Sequence, residues 1–520
     1  MFCKRFYFSF FLTLMSLCMW LFSVSVSDLN LGDFGLIHSL HLFFFVSLIL
    51  LLVSFLLNLE WNSSNKLKCI QITLLVVYLF LTPSIIEGTP RFRSTYKVHG
   101  FTEYVIRFGH INPSAIWYHN WPGAPILLSM FWQVVGENFD IPTMKYFPFV
   151  VEILYFIPVY ATFKLLFQEN ENLAWLGLWT FYILNYLNQD YVSPQAVGYL
   201  IYLVVIMFII KSIIFKSSED KIGLLKMAII IVYSFLVIVH LLTSVIILTM
   251  VALIAVFTVF FRSRDINYGT LLLFGVILFG WIIYGAARYF DWHAVEFLSR
   301  AFKLESLLFS NIERRVSGSP AHILISKMMI TTALTAGVLA VLGILLTYKR
   351  DKSLTAINLK LIAIFVAILI CMPLYPYGGE MFMRVFLFAL PFIAFFVPQL
   401  SFKKFKILVI LFLFVVTTAH IIMHYGNEKY DYVSPGEIVS CEFFYKNAES
   451  AKYITGVNPI PFYKFQDKFK LIKYDCLEWN GKKYVAVGVF RVKPKDYHYI
   501  AISRGDKAFF EIFRDKQYIE

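Results

Sequence analysis

Apolar runs of about twenty residues recur along the chain between short polar breaks, and that length matches the ~30 Å hydrocarbon layer of a bilayer. The runs are continuous rather than alternating, so they read as helices that satisfy their own backbone and not as barrel strands. The pattern predicts about thirteen spans, near 6–26, 36–57, 68–86, 146–167, 173–189, 195–215, 222–240, 243–261, 268–288, 327–348, 356–373, 382–399 and 406–425. The fold class is therefore an all-α polytopic membrane protein. Three connections are long enough to fold: 87–145, 288–326 and 426–520. The first holds amphipathic stretches from Glu103 to Phe108 and from Pro125 to Val135. The second opens Arg288-Tyr289-Phe290-Asp291-Trp292, the composition of a helix lying at the interface. In the third, a helical stretch from Pro435 to Lys452 precedes β-branched and aromatic stretches, Tyr484 to Val492 and Tyr497 to Ser503. These predict a small C-terminal extracytoplasmic α/β domain.

Composition agrees with the pattern, since 59% of the 520 residues are hydrophobic and 15% charged, far from a soluble protein. The net charge of +13 invites a nucleic-acid reading, which sorting the charges by compartment removes. With Lys4 and Arg5 inside, the inner connections hold about 18 Lys and Arg against about 7 Asp and Glu, whereas the outer ones up to residue 384 are about balanced. The basic excess is the positive-inside signal. It places the amino terminus in the cytoplasm, the segment after 425 outside, the chain in the plasma membrane, and no nucleic acid among its partners. Residues 1–27 combine a charged start with a small-residue end, as a signal peptide does, but the long apolar stretch favours a signal anchor. Cys441 and Cys476 fall in the outer segment, where a disulfide is permitted. The six cysteines show no metal-ligand spacing. The absence of a P-loop or dinucleotide fingerprint argues against an ATP-driven pump within this sequence.

The chemistry gathers on the outer side. Glu87 stands at the outer end of the third span in Ile86-Glu87-Gly88-Thr89-Pro90-Arg91-Phe92-Arg93. A carboxylate at the membrane–water boundary can take a proton while still reaching solvent, and the guanidinium groups of Arg91 and Arg93 suit phosphate. An ordinary helix-end acid paired with Arg91 is the plain alternative. Downstream, Trp117-Tyr118-His119-Asn120-Trp121-Pro122 sets aromatics beside polar groups, either a stacking surface for a sugar or an interfacial aromatic belt. Asp190, in Asn188-Gln189-Asp190-Tyr191-Val192-Ser193-Pro194-Gln195, either orients an acceptor hydroxyl or caps the next helix. His240 reads as a packing residue, and Glu313-Arg314-Arg315 as a solvated cluster. Glu152 lies about two turns inside its span, where an ionised carboxylate is costly and functional by default. It faces a cleft, is protonated, or pairs with Lys327.

An acid just outside an early helix, followed by a long outer loop with an aromatic-proline segment and an apolar helix, resembles the first outer loop of GT-C superfamily glycosyltransferases. The protein O-mannosyltransferases and aminoarabinose-lipid A transferases belong to that superfamily, and the 188–195 segment is similar to archaeal GT-C-like membrane proteins. In that superfamily an acid of this loop is catalytic, which maps by position onto Glu87. Glu380-Met381-Phe382-Met383-Arg384-Val385-Phe386, with Pro391 following, resembles the entry to a late helix whose arginine faces the donor phosphate, which maps onto Arg384. The resemblance spans 68–425 as a GT-C-like core behind two amino-terminal helices in 1–67. It lacks the second nearby acid of many members, which leaves a divalent metal as an optional cofactor.

The resemblance implies an inverting glycosyltransferase that moves a sugar from a polyprenyl-phosphate donor to a glycan, lipid or protein acceptor at the outer face. Glu87 would be the base. Arg91, Arg93, His119, Asn120, Asp190, Glu380 and Arg384 would hold substrate or phosphate. The alternatives are a transporter or flippase for a lipid-linked or anionic solute, or a degenerate GT-C scaffold.

Overall fold

A computed structural model describes residues 2–114, 117–136, 141–168, 170–214, 219–260, 268–291, 316–351, 361–362, 364–366, 368, 380–401, 405–447, 451–456, 470–473, 475–479, 482–486, 497–500 and 504–513. Among them the chain is mostly helical, and nine helices are long and apolar enough to cross a membrane. They coincide with nine of the expected spans, and the chain is an integral membrane protein. The expected spans 222–240 and 243–261 correspond to α10 (Glu219–Val239) and α11 (Leu241–Phe260), whose apolar stretches are shorter. The span expected at 173–189 is α8 (Glu171–Leu184), 14 residues, too short to cross the layer alone. It stops at Asn185, whose side chain turns back to Glu152. The span at 356–373 and the second loop from 292 to 315 lie largely or wholly outside the described residues.

The two amino-terminal helices are joined to the core by polar groups. Ser9 and Thr13 of α1 (Phe2–Ser25) meet Ser54 of α2 (Leu42–Trp61) at 3.0 and 2.9 Å. Gln71 of α3 (Asn65–Val76) donates to Ser54 Oγ at 2.8 Å and Thr13 Oγ1 at 3.0 Å. Lipid tails are as apolar as leucine, so helices inside a bilayer gain little from apolar contact, and small hydroxyl-bearing residues let them approach and bond. Beyond the seam come α4 (Thr82–Ile86), α5 (Arg93–Phe108), α6 (Gly123–Val135), α7 (Phe147–Phe167) and α9 (Pro194–Ile214). After α12 (Tyr268–Gly280) and α13 (Pro320–Asp351) comes the central helix α14 (Met381–Phe396), which is buried along nearly its whole length. By contrast Leu272, Val276 and Phe279 of α12, and Leu334, Val338 and Val341 of α13, stay exposed at helical spacing. That is the apolar face a spanning helix turns to lipid.

Pro391 interrupts α14, and the Leu387 carbonyl four residues earlier has no backbone N–H to receive. The Tyr199 hydroxyl of α9 donates to that carbonyl at 2.9 Å, and Tyr202 donates to the next one, Phe388 O. The chain then runs through α15 (Lys406–Tyr425), α16 (Glu428–Asp431) and α17 (Pro435–Asn447). Five strands follow: β1 (Ala451–Gly456), β2 (Lys470–Lys473), β3 (Asp475–Trp479), β4 (Lys482–Ala486) and β5 (Tyr497–Ile500). β1 pairs in parallel with β2 and β5, and β3 with β4 in an antiparallel hairpin. The last described element is α18 (Arg504–Phe513). The Cys441–Cys476 pairing falls partly on side chains outside the described set.

Candidate functional site

Glu87 is placed by an irregular helix. After α3 the backbone widens into a π turn, Val77–Leu81, then resumes as α4 and ends at Glu87, whose N–H reaches Pro83 O at 2.7 Å. Such π turns occur often at functional sites. Pro83 has no N–H for the Leu79 carbonyl, and the Tyr425 hydroxyl donates there at 2.9 Å. On the other side, Trp20 Nε1 donates to Thr82 Oγ1 at 2.9 Å and its ring stacks on Tyr78, 5.2 Å between centroids. The Glu87 side chain is 1% exposed, and its Oε1 has no hydrogen-bond partner. It lines a small cleft together with Thr89, Arg91, Lys145 and Tyr425. Burial, and the Glu428 carboxylate beside it, raise the proton affinity of Glu87 well above the ordinary carboxylate range; Arg91 pulls the other way.

Arg91 is the hub. Its Nη2 pairs with Glu428, and both side chains are buried. The guanidinium lies over the rings of Tyr425, at 4.3 Å, and Phe92, at 4.5 Å. Its Nε and Nη1 have no hydrogen-bond partner, so three N–H groups remain for an anion. Asp190 closes the group, with Oδ1 3.5 Å from Nε2 of His424. Burial opposes its charge, but His424 and Arg91 outweigh that and hold its carboxyl below the usual range. Asp190 does not cap α9; Ser193 does, its Oγ accepting from Ala196 N at 3.1 Å, the three-residue offset a cap requires. Arg91 thus interacts both with an acid of raised proton affinity, Glu87, and with one held ionised, Asp190.

The other expected residues stand elsewhere. Arg384, at the start of α14, bonds Gln195 Oε1 through Nη1 and Glu380 Oε2 at 2.8 Å through Nη2. Gln195 begins α9, so Arg384 and Asp190 flank the same 185–195 turn, but Arg384 does not line the Glu87 cleft. His119 is fully buried; its Nδ1 accepts from Asn112 N at 2.8 Å and its Nε2 faces Phe101 O at 3.4 Å. Burial lowers its pKa to about 4 against the pull of the Phe101 carbonyl, so it is neutral and pins the loop. Asn120 is buried beside it and bonds Pro113 O at 3.3 Å, while Trp281 donates to its carbonyl. Arg93 begins α5, with its side chain outside the described set. Glu152 is buried and accepts from Asn185 at 2.7 Å, whereas Lys327, the partner in one of its three readings, is exposed. His240 bonds Thr243 Oγ1 at 2.8 Å at the start of α11.

Sequence reasoning missed Glu428 and His424. Their signal was available: His420, His424 and Glu428 recur every fourth residue across the end of the last span and just past it, a helical spacing. Among the described residues no group of three His, Cys, Asp or Glu side chains is placed to hold a metal ion. The acids here surround a guanidinium, so the donor set does not fit a divalent cation.

No protein-family profile matches the sequence, and no curated protein sequence matches it. Solved structures do share its architecture. The Archaeoglobus fulgidus oligosaccharyltransferase in complex with Zn and sulfate has a TM-score of 0.51 at 12% identity, over 78% of this chain and 62% of that one. The same organism's oligosaccharyltransferase tethered to an acceptor peptide gives 0.49 at 11% identity, over 78% and 63%. Its complex with an inhibitory peptide and a dolichol-phosphate gives 0.46 at 12%, over 75% and 62%. The present chain spans less than two thirds of the length of these proteins, and what it has in common with the first of them is the fold of its membrane helices.

Proposed function

We propose that this chain is a membrane glycosyltransferase that transfers a sugar from a polyprenyl-phosphate donor to a glycan, lipid or protein acceptor at the outer face. The observation that carries the reading is Glu87: a buried carboxylate with an unpartnered oxygen, opening on a cleft beside Arg91, in a fold similar to that of an oligosaccharyltransferase. Glu87 takes the proton of the acceptor as the acceptor attacks the anomeric carbon. The bond from that carbon to the phosphate oxygen breaks, and its electron pair leaves with the phosphate. The free N–H groups of Arg91 steady the growing charge from within the cleft, and Arg384, which does not line it, is proposed to meet the donor phosphate from beyond the 185–195 turn. A single base without a covalent nucleophile gives inversion. In this reading residues 1–67 anchor the 68–425 core, the amino terminus is cytoplasmic, and 426–520 is an outer domain of helices and strands that reaches back to the site through Glu428.

The test is Glu87→Gln, assayed with a radiolabelled polyprenyl-phosphate sugar and membrane acceptors. Transfer falls by roughly 10²–10⁴-fold while the unfolding midpoint in detergent is retained. In the wild type the rate climbs as pH rises through a midpoint above the ordinary carboxylate range, because only ionised Glu87 accepts the proton. Wild-type transfer by the variant sinks the assignment.

A further inference from the structure

We propose that Tyr425 is a positioning residue for the Glu87 site, one side chain that fixes both the acid and its neighbouring guanidinium. Its hydroxyl takes the Leu79 carbonyl that Pro83 leaves without an N–H, at 2.9 Å. That carbonyl belongs to the irregular turn four residues before Pro83, and Pro83 O in turn receives the N–H of Glu87. The hydroxyl therefore secures the two-turn segment that ends in the acid. The Tyr425 ring carries the Arg91 guanidinium at 4.3 Å on its face. Tyr425 itself is held from behind. Gly35 takes a positive φ of 57° against the Tyr425 carbonyl, where a side chain would collide with that oxygen. The connection between α1 and α2 thus backs the residue that backs the site, a role for the amino-terminal helices that the sequence did not disclose.

The same device occurs at Pro391, where Tyr199 takes the vacated Leu387 carbonyl at 2.9 Å, so a tyrosine hydroxyl serving a proline-opened carbonyl is a repeated solution in this chain. Physically it is required: a buried carbonyl without a donor inside a bilayer is costly. Pro83 makes the Tyr425 hydroxyl necessary, and any residue that restores the N–H at 83 makes it dispensable. That conditional relation is what a merely space-filling tyrosine lacks.

The proposal rests on the reading of Glu87 as the reacting acid for its meaning, but its test does not need transfer. The full chain in lipid nanodiscs is titrated by infrared spectroscopy, following the protonated carboxyl band of Glu87, identified by its loss in Glu87→Gln. The groups facing Glu87, namely Arg91, Lys145, Glu428 and Asp431, are all retained in the variants. Tyr425→Phe keeps the ring and removes the hydroxyl; the loosened segment admits water, and the Glu87 midpoint falls by about one pH unit, a tenfold loss of proton affinity. The double variant Pro83→Ala with Tyr425→Phe returns the midpoint to the wild-type value. Where transfer is measurable, kcat falls in Tyr425→Phe with KM unchanged and recovers in the double variant. An unchanged midpoint in Tyr425→Phe overturns the proposal, as does a double variant that fails to recover. If Tyr425→Phe alone does not fold, recovery of folding by Pro83→Ala supports it and continued failure overturns it. A wild-type chain that transfers no sugar would count against the transferase reading alone.

Discussion

Two proline-interrupted helices lead to the two groups of charge in this protein, and they differ in what their tyrosine locks control. In α4 the acid Glu87 lies four residues after Pro83, and the lock, Tyr425, also touches Arg91. In α14 the arginine lies seven residues before Pro391, and the lock, Tyr199, meets the backbone and the Phe388 ring there rather than the arginine. Arg384 is positioned instead by Gln195 and by Glu380 one turn away. The first cluster is therefore one mechanical unit made from segments far apart in sequence, near 20, 87–91, 190 and 424–431. The second is a local pair at the start of α14, with Gln195 bonded to its arginine. A buried charged group assembled from distant segments is sensitive to any one of them, whereas a local, half-exposed pair is not.

The largest effect is expected from Arg91→Ala. Removing the guanidinium leaves Glu428 buried without its partner and removes the one opposing pull on Glu87. Breaking a buried pair in this way costs about 3–5 kcal/mol, read as a fall in the apparent unfolding midpoint in detergent. A loss comparable to that of an exposed pair would show that the cluster is not the single unit described.

How much of this could be read from the sequence follows the same division. Spans are legible because every residue of a spanning helix carries the same apolar signal, and nine of them stand where periodicity put them. The signal misled at 173–189, where Tyr186 and Leu187 prolong an apolar run that Asn185 has already ended. Glu87 and Arg384 were legible as charges at helix boundaries. Tyr425 was not, because a tyrosine at the outer end of a span reads as an interfacial anchor, and only the structure shows that its hydroxyl points inward to a carbonyl opened 342 positions earlier by a proline. Glu428 was hidden by the same long-range assembly: it lies past the last span, in a segment read as a separate domain, yet its partner is Arg91.

A smaller effect is expected from Tyr199→Phe, the counterpart of the Tyr425 substitution. The Leu387 carbonyl loses its donor in a fully buried setting, at a cost of about 1–3 kcal/mol. The unfolding midpoint falls, but the Glu87 titration stays at its wild-type value, because the Tyr199 hydroxyl bonds α14 and not the segment that ends in Glu87. A shift of the Glu87 midpoint in Tyr199→Phe would mean that the two locks are coupled and that the contrast drawn between them is wrong.

The smallest effect is expected from Glu380→Ala. The Glu380 side chain is 47% exposed while Arg384 is 11% exposed, so the pair sits at the wet edge of α14, where solvent screens it and side-chain ordering offsets much of the attraction. Exposed pairs of this kind contribute about 0–1 kcal/mol. Arg384 keeps Gln195 as an acceptor after the substitution, so its direction is preserved and one of its donors is released. If Arg384 meets a phosphate, as proposed, Glu380→Ala leaves stability almost unchanged and lowers KM for the donor, because Glu380 no longer competes with the phosphate. A raised KM would instead make Glu380 the residue that aims the guanidinium, and would bring the second cluster closer in kind to the first.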